Sequence, residues 1–214
     1  EEEAGIQLNF PESLRASETA LLFMQFIMRS LKHGGRCGVV VPNGFLFGDG
    51  VSARIKEQLL RNFDLHTIVR LPNGVFAPYT SIPTNLLFFD RPFGMAQGSA
   101  TTDIWFYEHT LPEGVKNYTK TRPMQFEEFA PLIEWWDNRA SNEHAWKVRV
   151  NDVLKYDEAG NLLSVNLDLK NPNRKDDLEH LPPRELAESI LAKEKQIAEL
   201  MNEIKGLLKG DSHF

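Results

Sequence analysis

Cysteine is nearly missing from this chain of 214 residues. Cys37 is the single copy, so no intramolecular disulfide can form. It stands in an apolar run without an adjacent activating group, which reads as a small buried hydrophobe and not as a nucleophile. Histidine is scattered: His33, His66, His109, His144, His180 and His213 show no ligand spacing, and no metal site is expected. No apolar run reaches membrane-spanning length. The opening Glu1-Glu2-Glu3 is the reverse of a signal peptide's basic start, so a reducing cytoplasmic setting is expected. Positive charge is short as well, with 24 Lys+Arg against 30 Asp+Glu and a formal charge of -6. A dedicated nucleic-acid module is usually basic. The charge argues against DNA binding by the chain in isolation and leaves open a DNA enzyme whose basic surface lies on another domain or subunit. There is no G-x-S-x-G elbow, and no phosphate- or nucleotide-binding glycine signature precedes the first strand.

What is present is an α/β pattern. Residues 1–16 read as a loop. Residues 17–31 form an amphipathic helix, with Ser17 as N-cap. Ala20, Met24, Ile27 and Leu31 share its inner face, widened by Leu21, Phe23 and Met28. Gly34-Gly35 stops the helix through a left-handed turn, a reading favoured over phosphate binding because a strand follows. Residues 36–41 are continuously apolar, as in a strand covered on both faces, and end in Pro42-Asn43-Gly44. A second helix over 52–62 turns Ile55, Leu59 and Leu60 inward. A strand over 65–71 ends in Pro72-Asn73-Gly74, and a third over 84–89 pairs antiparallel with the second.

Residues 91–100 are a turn-rich break. Residues 103–107 predict one more strand at an edge. A helix over 126–136 must be kinked or split by Pro131. Residues 146–150 predict a further strand, residues 162–169 alternate weakly, and residues 171–177 read as loop. From Pro182-Pro183 a long helix begins. Leu186, Ile190, Ile197, Leu200, Ile204 and Leu207 follow a heptad seam interrupted by Lys193. So narrow a stripe suits packing on another helix. The organisation expected is 1–92 for the second half of an α/β sheet domain, 93–180 for an α+β extension and 181–214 for an interaction helix.

Open α/β sheets bind ligands at the carboxyl ends of their strands. Asn43 and Asn73 are therefore candidate pocket-wall residues, although turn chemistry alone accounts for each Pro-Asn-Gly. Phe88 and Phe89 close the third strand and point to opposite faces. Both are explained as core, and a ring exposed at the cleft could stack on a base.

The run ETALLFMQFIMRSLKHGGRCGVVVPNGFLFG, then LLRNFDLHTIVRLPNGVF, then IPTNLLFFD, and later SVNLDLKNP, resembles the methylation (M) subunit of type I restriction–modification systems. The resemblance implies a Rossmann-like, S-adenosylmethionine-dependent DNA adenine-N6 methyltransferase, partnered by specificity (S) and restriction (R) subunits. The family's donor-binding glycine motif and its catalytic Asn-Pro-Pro-aromatic motif are not in this chain. The one Asn-Pro, Asn171-Pro172, is followed by Asn173. The resemblance thus implies the C-terminal portion of an M subunit, with its catalytic residues upstream of Glu1 and no activity alone. It implies base stacking by Phe89, with Phe88 next in line, and docking of the C-terminal helix on the specificity subunit. Two alternatives stay open, a pure docking module and a truncated Rossmann-like enzyme of another class. Strand 36–41 would present an open edge, expected to self-associate or to be covered by residues 1–16.

Overall fold

The computed structural model describes residues 8–94, 98–173 and 183–210, together with Gly5. It divides into two compact units, residues 1–174 and 175–214.

The first unit is built on one mixed sheet. Helix α1 (Thr19–Ser30) leads to β1 (Arg36–Pro42). A single turn of helix, α2 (Gly44–Phe47), and α3 (Val51–Asn62) follow, then β2 (Asp64–Arg70), β3 (Thr84–Asp90) and β4 (Asp103–Glu108). A 3-10 turn (Phe126–Phe129) runs into α4 (Ala130–Asp137), and β5 (Ala145–Arg149) follows. The one-turn helix α5 (Val150–Val153) then opens a small hairpin of β6 (Leu154–Tyr156) and β7 (Leu162–Val165). The strand order is β1-β3-β2-β4-β5. β3 runs antiparallel to both neighbours, so β1 and β2 are parallel to each other. β4 is parallel to β2, and β5 antiparallel to β4. The sheet therefore continues through β4 and β5 beyond residue 92.

Helix α3 forms where its apolar spacing predicts, and Ile55, Leu59 and Leu60 are all 0% exposed. With Met24 and Met28 of α1 they cover one sheet face against Leu65, Leu87, Phe89, Ile104 and Phe106. Each such fully buried side chain contributes about 1.5–3 kcal/mol. The opposite face is covered at its β2–β4–β5 side by α4, where Leu132 and Trp135 pack on Val69, Tyr107 and Ala145.

Several expectations are corrected. Helix α1 starts at Thr19 after Glu18, and neither Ser17 nor any other side chain caps it. Phe23 is 62% exposed. Gln25 turns inward in its place, because its amide donates to the Leu14 and Leu21 carbonyls. β1 is not covered on both faces: only Val41 is buried in it, since β1 is the sheet edge. β4 is not an edge, because β5 pairs outside it. Pro131 splits the 126–136 segment as expected and sits in the first turn of α4, where its missing N–H costs nothing. Described residues 8–16 do not cover β1. They pack on the helices instead, with Arg54 donating to Ser13 O (3.1 Å) and Arg29 to Asn9 O (2.8 Å).

The second unit contains helix α6 (Pro183–Gly210). Ile190, Ile197, Leu200 and Ile204 are exposed along it. The side chains of Leu186 and Leu207 lie outside the described residues. Among the described residues no helix is long and apolar enough to cross a membrane.

Candidate functional site at the strand ends

β1 and β2 end side by side with the start of β3 between them, and hydrogen bonds tie the three together. Asn43 N donates to Pro83 O (2.8 Å) and Leu71 N to Thr84 O (3.1 Å). The Asn85 side chain, 1% exposed, donates to the Asn43 side-chain oxygen (3.0 Å). Both Pro-Asn-Gly turns are thus held at the carboxyl end of the sheet. Asn43 is half-buried with its oxygen engaged by Asn85, and Asn73 is exposed. Asn85 was not singled out from sequence, although its place one residue into β3 opposite Val41 and Arg70 makes it the bracket of the site.

Loop 71–83 rises from this end. Gly74 takes φ +82°, open to glycine without strain. Successive turns follow, with Ala77 N to Gly74 O (3.0 Å) and Tyr79 N to Phe76 O (2.9 Å). They leave Phe76 40% and Tyr79 93% exposed, and Phe47, just after β1, is 51% exposed. Three aromatic rings are thus exposed in the segments that leave β1 and β2.

The sequence-predicted stacking residues lie elsewhere. Phe89 pairs with Cys37 and Phe88 with Gly38, near the amino end of β1. Because β3 runs backwards, its end is the far end of the sheet. Phe89 is 0% exposed and packs edge-on to Phe63 at 5.5 Å, so it is a core residue with no face for a base. Phe88 is half-buried against Trp136 (4.8 Å) and lines an apolar groove of about 380 Å³ with Leu86, Phe126 and Ile133, on the face opposite Phe89. The aromatics exposed at the carboxyl ends of β1 and β2 are Phe47, Phe76 and Tyr79.

The site is backed by a titratable pair. Tyr118, 2% exposed, donates to Glu128. Desolvation, then this bond, push the phenol up. Desolvation alone would raise the Glu128 carboxyl, but the Tyr118 hydroxyl and the Gln125 N–H outweigh it and hold the carboxyl below its usual range. His109, buried beside Phe129, is lowered by desolvation. Among the described residues no three His, Cys, Asp or Glu side chains gather as metal ligands.

A segment past the hairpin closes the strand ends. Leu167 N donates to Leu46 O (2.8 Å). Arg70 pairs with Asp168 (2.5 Å) and donates to Leu169 O (2.6 Å). Asn171 donates to Glu108 (3.1 Å) and Glu143 O (2.7 Å). The Asn-Pro of this chain is a structural anchor.

Residues 8–176 match the family model described as N-6 DNA Methylase. The chain belongs to that family. It is 46% identical to the methylase subunit of the type I restriction enzyme EcoEI from Escherichia coli, over 97% of this chain and 41% of that protein. It is 36% identical to the EcoKI methylase subunit of Escherichia coli K12, over 54% of this chain and 22% of that one. A crystal structure of a modification subunit of a putative type I restriction enzyme from Vibrio vulnificus YJ016 superimposes with TM-score 0.75 and 57% identity, covering 82% of this chain and 37% of that one. The resemblance to type I methylation subunits is thereby upheld, and the alternative of another Rossmann-like class falls away. The chain spans less than half the length of these relatives.

Proposed function

We propose that this chain is the carboxyl-terminal part of a type I methylation subunit. The intact protein transfers a methyl group from S-adenosylmethionine to the N6 amine of adenine in DNA. The observation that carries the reading is the aromatic loop at the carboxyl ends of β1 and β2, in a chain of the N-6 DNA methylase family. A methyltransferase acting on a base must take it out of the helix stack. Each base–aromatic stack stabilises the extruded base by about 1–3 kcal/mol. Phe76 and Tyr79 offer such faces, and we place the base against them, with Asn43 and Asn73 on the adjoining wall.

The residues present do not make a donor site. Among the described residues the strand-end glycine Gly44 opens only a single helical turn, and Asp168 is committed to Arg70. The donor pocket and the Asn-Pro-Pro-aromatic motif belong upstream, and the 214-residue chain alone is inactive. Its contribution is one wall of the base pocket and, through the seam of α6, docking on a specificity subunit. That subunit selects the DNA site, and a restriction subunit completes the assembly in the cytoplasm.

The test is transfer of labelled methyl groups to adenine-containing DNA by the intact enzyme carrying Phe76→Ala or Tyr79→Ala, with base extrusion followed separately on a duplex in which 2-aminopurine replaces the target adenine. At least one variant is expected to lose about five- to a hundredfold in kcat/KM, the equivalent of one stack, and to lose the fluorescence of an extruded base. Wild-type rates in both variants, or methyl transfer by the isolated chain, would sink the reading.

A further inference from the structure

Beside the aromatic loop stands a second exposed element, the tight turn formed by residues 116–122. Thr119 N donates to Arg122 O (3.0 Å), and Arg122 N donates to Thr119 O and to Thr119 Oγ1 (3.1 Å each). The turn is mounted rigidly. Tyr118 is buried with its hydroxyl on Glu128, and its backbone lies against Gly74 so closely that a Cβ there would come within 2.5 Å of Tyr118 O. The turn thus shares its base with the Pro72-Asn73-Gly74 turn.

Its outer surface is cationic. Lys116, Lys120 and Arg122 are exposed, and none forms an ion pair among the described residues. Residues 115–122 contain no carboxylate, in a chain of formal charge -6. Glu113 is the nearest acidic neighbour in sequence, and Glu128, bonded to Tyr118, is near enough to Arg122 for that charge to help hold its carboxyl low. Asn117, Thr119 and Thr121 add exposed polar groups. Exposed cations interleaved with neutral donors, carried by an anchored backbone, fit a row of phosphates.

We infer that the 116–122 turn is a contact surface for the phosphate backbone of DNA flanking the extruded adenine. The assignment rests on the methyltransferase reading and deepens it. It adds phosphate contacts on this chain to those that its acidic balance leaves to other domains or subunits. The contacts carry register and no base information, because every nucleotide presents the same phosphate.

The test replaces all three cations (Lys116→Gln, Lys120→Gln, Arg122→Gln) in the intact enzyme and measures DNA affinity by fluorescence anisotropy across a salt series. Each phosphate contact contributes about 0.9 to the slope of log affinity against log salt. The triple variant is expected to lose about 2–3 from that slope, and Lys120→Gln alone about 1. Matched and mismatched duplexes weaken alike. The turn is closed by backbone atoms and Thr119, so thermal melting stays at the wild-type midpoint. An unchanged slope in an enzyme that still methylates adenine overturns this assignment and leaves the functional reading standing. Weakened subunit assembly with an unchanged slope overturns it too, and marks the turn as a protein-binding surface.

Discussion

Replacing Lys56 by Met should be nearly neutral for stability at pH 7 and destabilising at alkaline pH. Lys56 is 0% exposed, and its ammonium donates to the carbonyls of Leu46 (3.0 Å) and Val165 (2.5 Å). Desolvation lowers its pKa from 10.5 to about 8, against partial support from Asp49. Between those two values the unfolded chain still holds a proton that the folded chain has released. Stability therefore rises as pH climbs from about 8 to about 10.5. At about 1.4 kcal/mol per pKa unit the rise is at most about 3 kcal/mol, and about 2 kcal/mol once relaxation and water penetration are allowed for. Met keeps the length of the side chain and removes the charge, together with two hydrogen bonds worth about 1–3 kcal/mol in all. At neutral pH the two effects nearly cancel. Near pH 10 (about the unfolded pKa) only the lost bonds remain, and the variant is the less stable protein. Urea unfolding followed by tryptophan fluorescence at both pH values gives the difference directly, and other titrating groups drop out of the comparison. A wild-type-minus-variant difference that stays flat across this range refutes the buried, easily deprotonated lysine.

Gly74→Ala should destabilise the first unit by more than about 1 kcal/mol, since the residue needs φ +82° and its Cβ would meet Tyr118 O; a lowered thermal midpoint checks it. Leu200→Asp should weaken binding to a specificity subunit by about tenfold or more, because it puts a charge on the exposed seam of α6; unchanged affinity in a calorimetric titration removes that docking role. The edge of β1, unpaired among the described residues, should make the isolated chain self-associate with concentration, and Val40→Lys, at a position 48% exposed, should suppress this. Light scattering showing a monomer throughout contradicts it.

Legibility from sequence followed how local each determinant is. The inner face of α3 was readable because Ile55, Leu59 and Leu60 recur at helical spacing within one element. The burial of Lys56 on the same helix was not, because it depends on Val165, 109 residues away. The apolar run of β1 reads as a doubly covered strand, yet coverage is a property of neighbours, and on one side no described strand pairs with it. The stacking candidate failed for a topological reason. Phe88 and Phe89 close a strand that was already expected to run antiparallel to the second, so its end lies at the far end of the sheet from the two Pro-Asn-Gly turns. The turns at Asn43 and Asn73 lie together at one end of the sheet because β1 and β2 are parallel and each turn directly follows its strand.

The closing segment shows why the chain beyond the sheet belongs to the site's architecture. From Leu167 to Asn173 it meets, in order, the helical turn after β1 through Leu46, the end of β2 through Arg70, the end of β4 through Glu108, and the start of β5, where Asn173 reaches the Ala145 carbonyl (3.2 Å). That is the spatial order of the strands with β3 omitted, and β3 is the one strand that begins at this end between parallel neighbours. A strap laid in sheet order holds the strand ends at fixed spacing, each bond spanning only the next strand over. A site made of loops that leave separate strands needs such a constraint, because loops alone are the most mobile part of a fold. The loops bearing Asn43 and the aromatic pair therefore keep their spacing through the 167–173 segment.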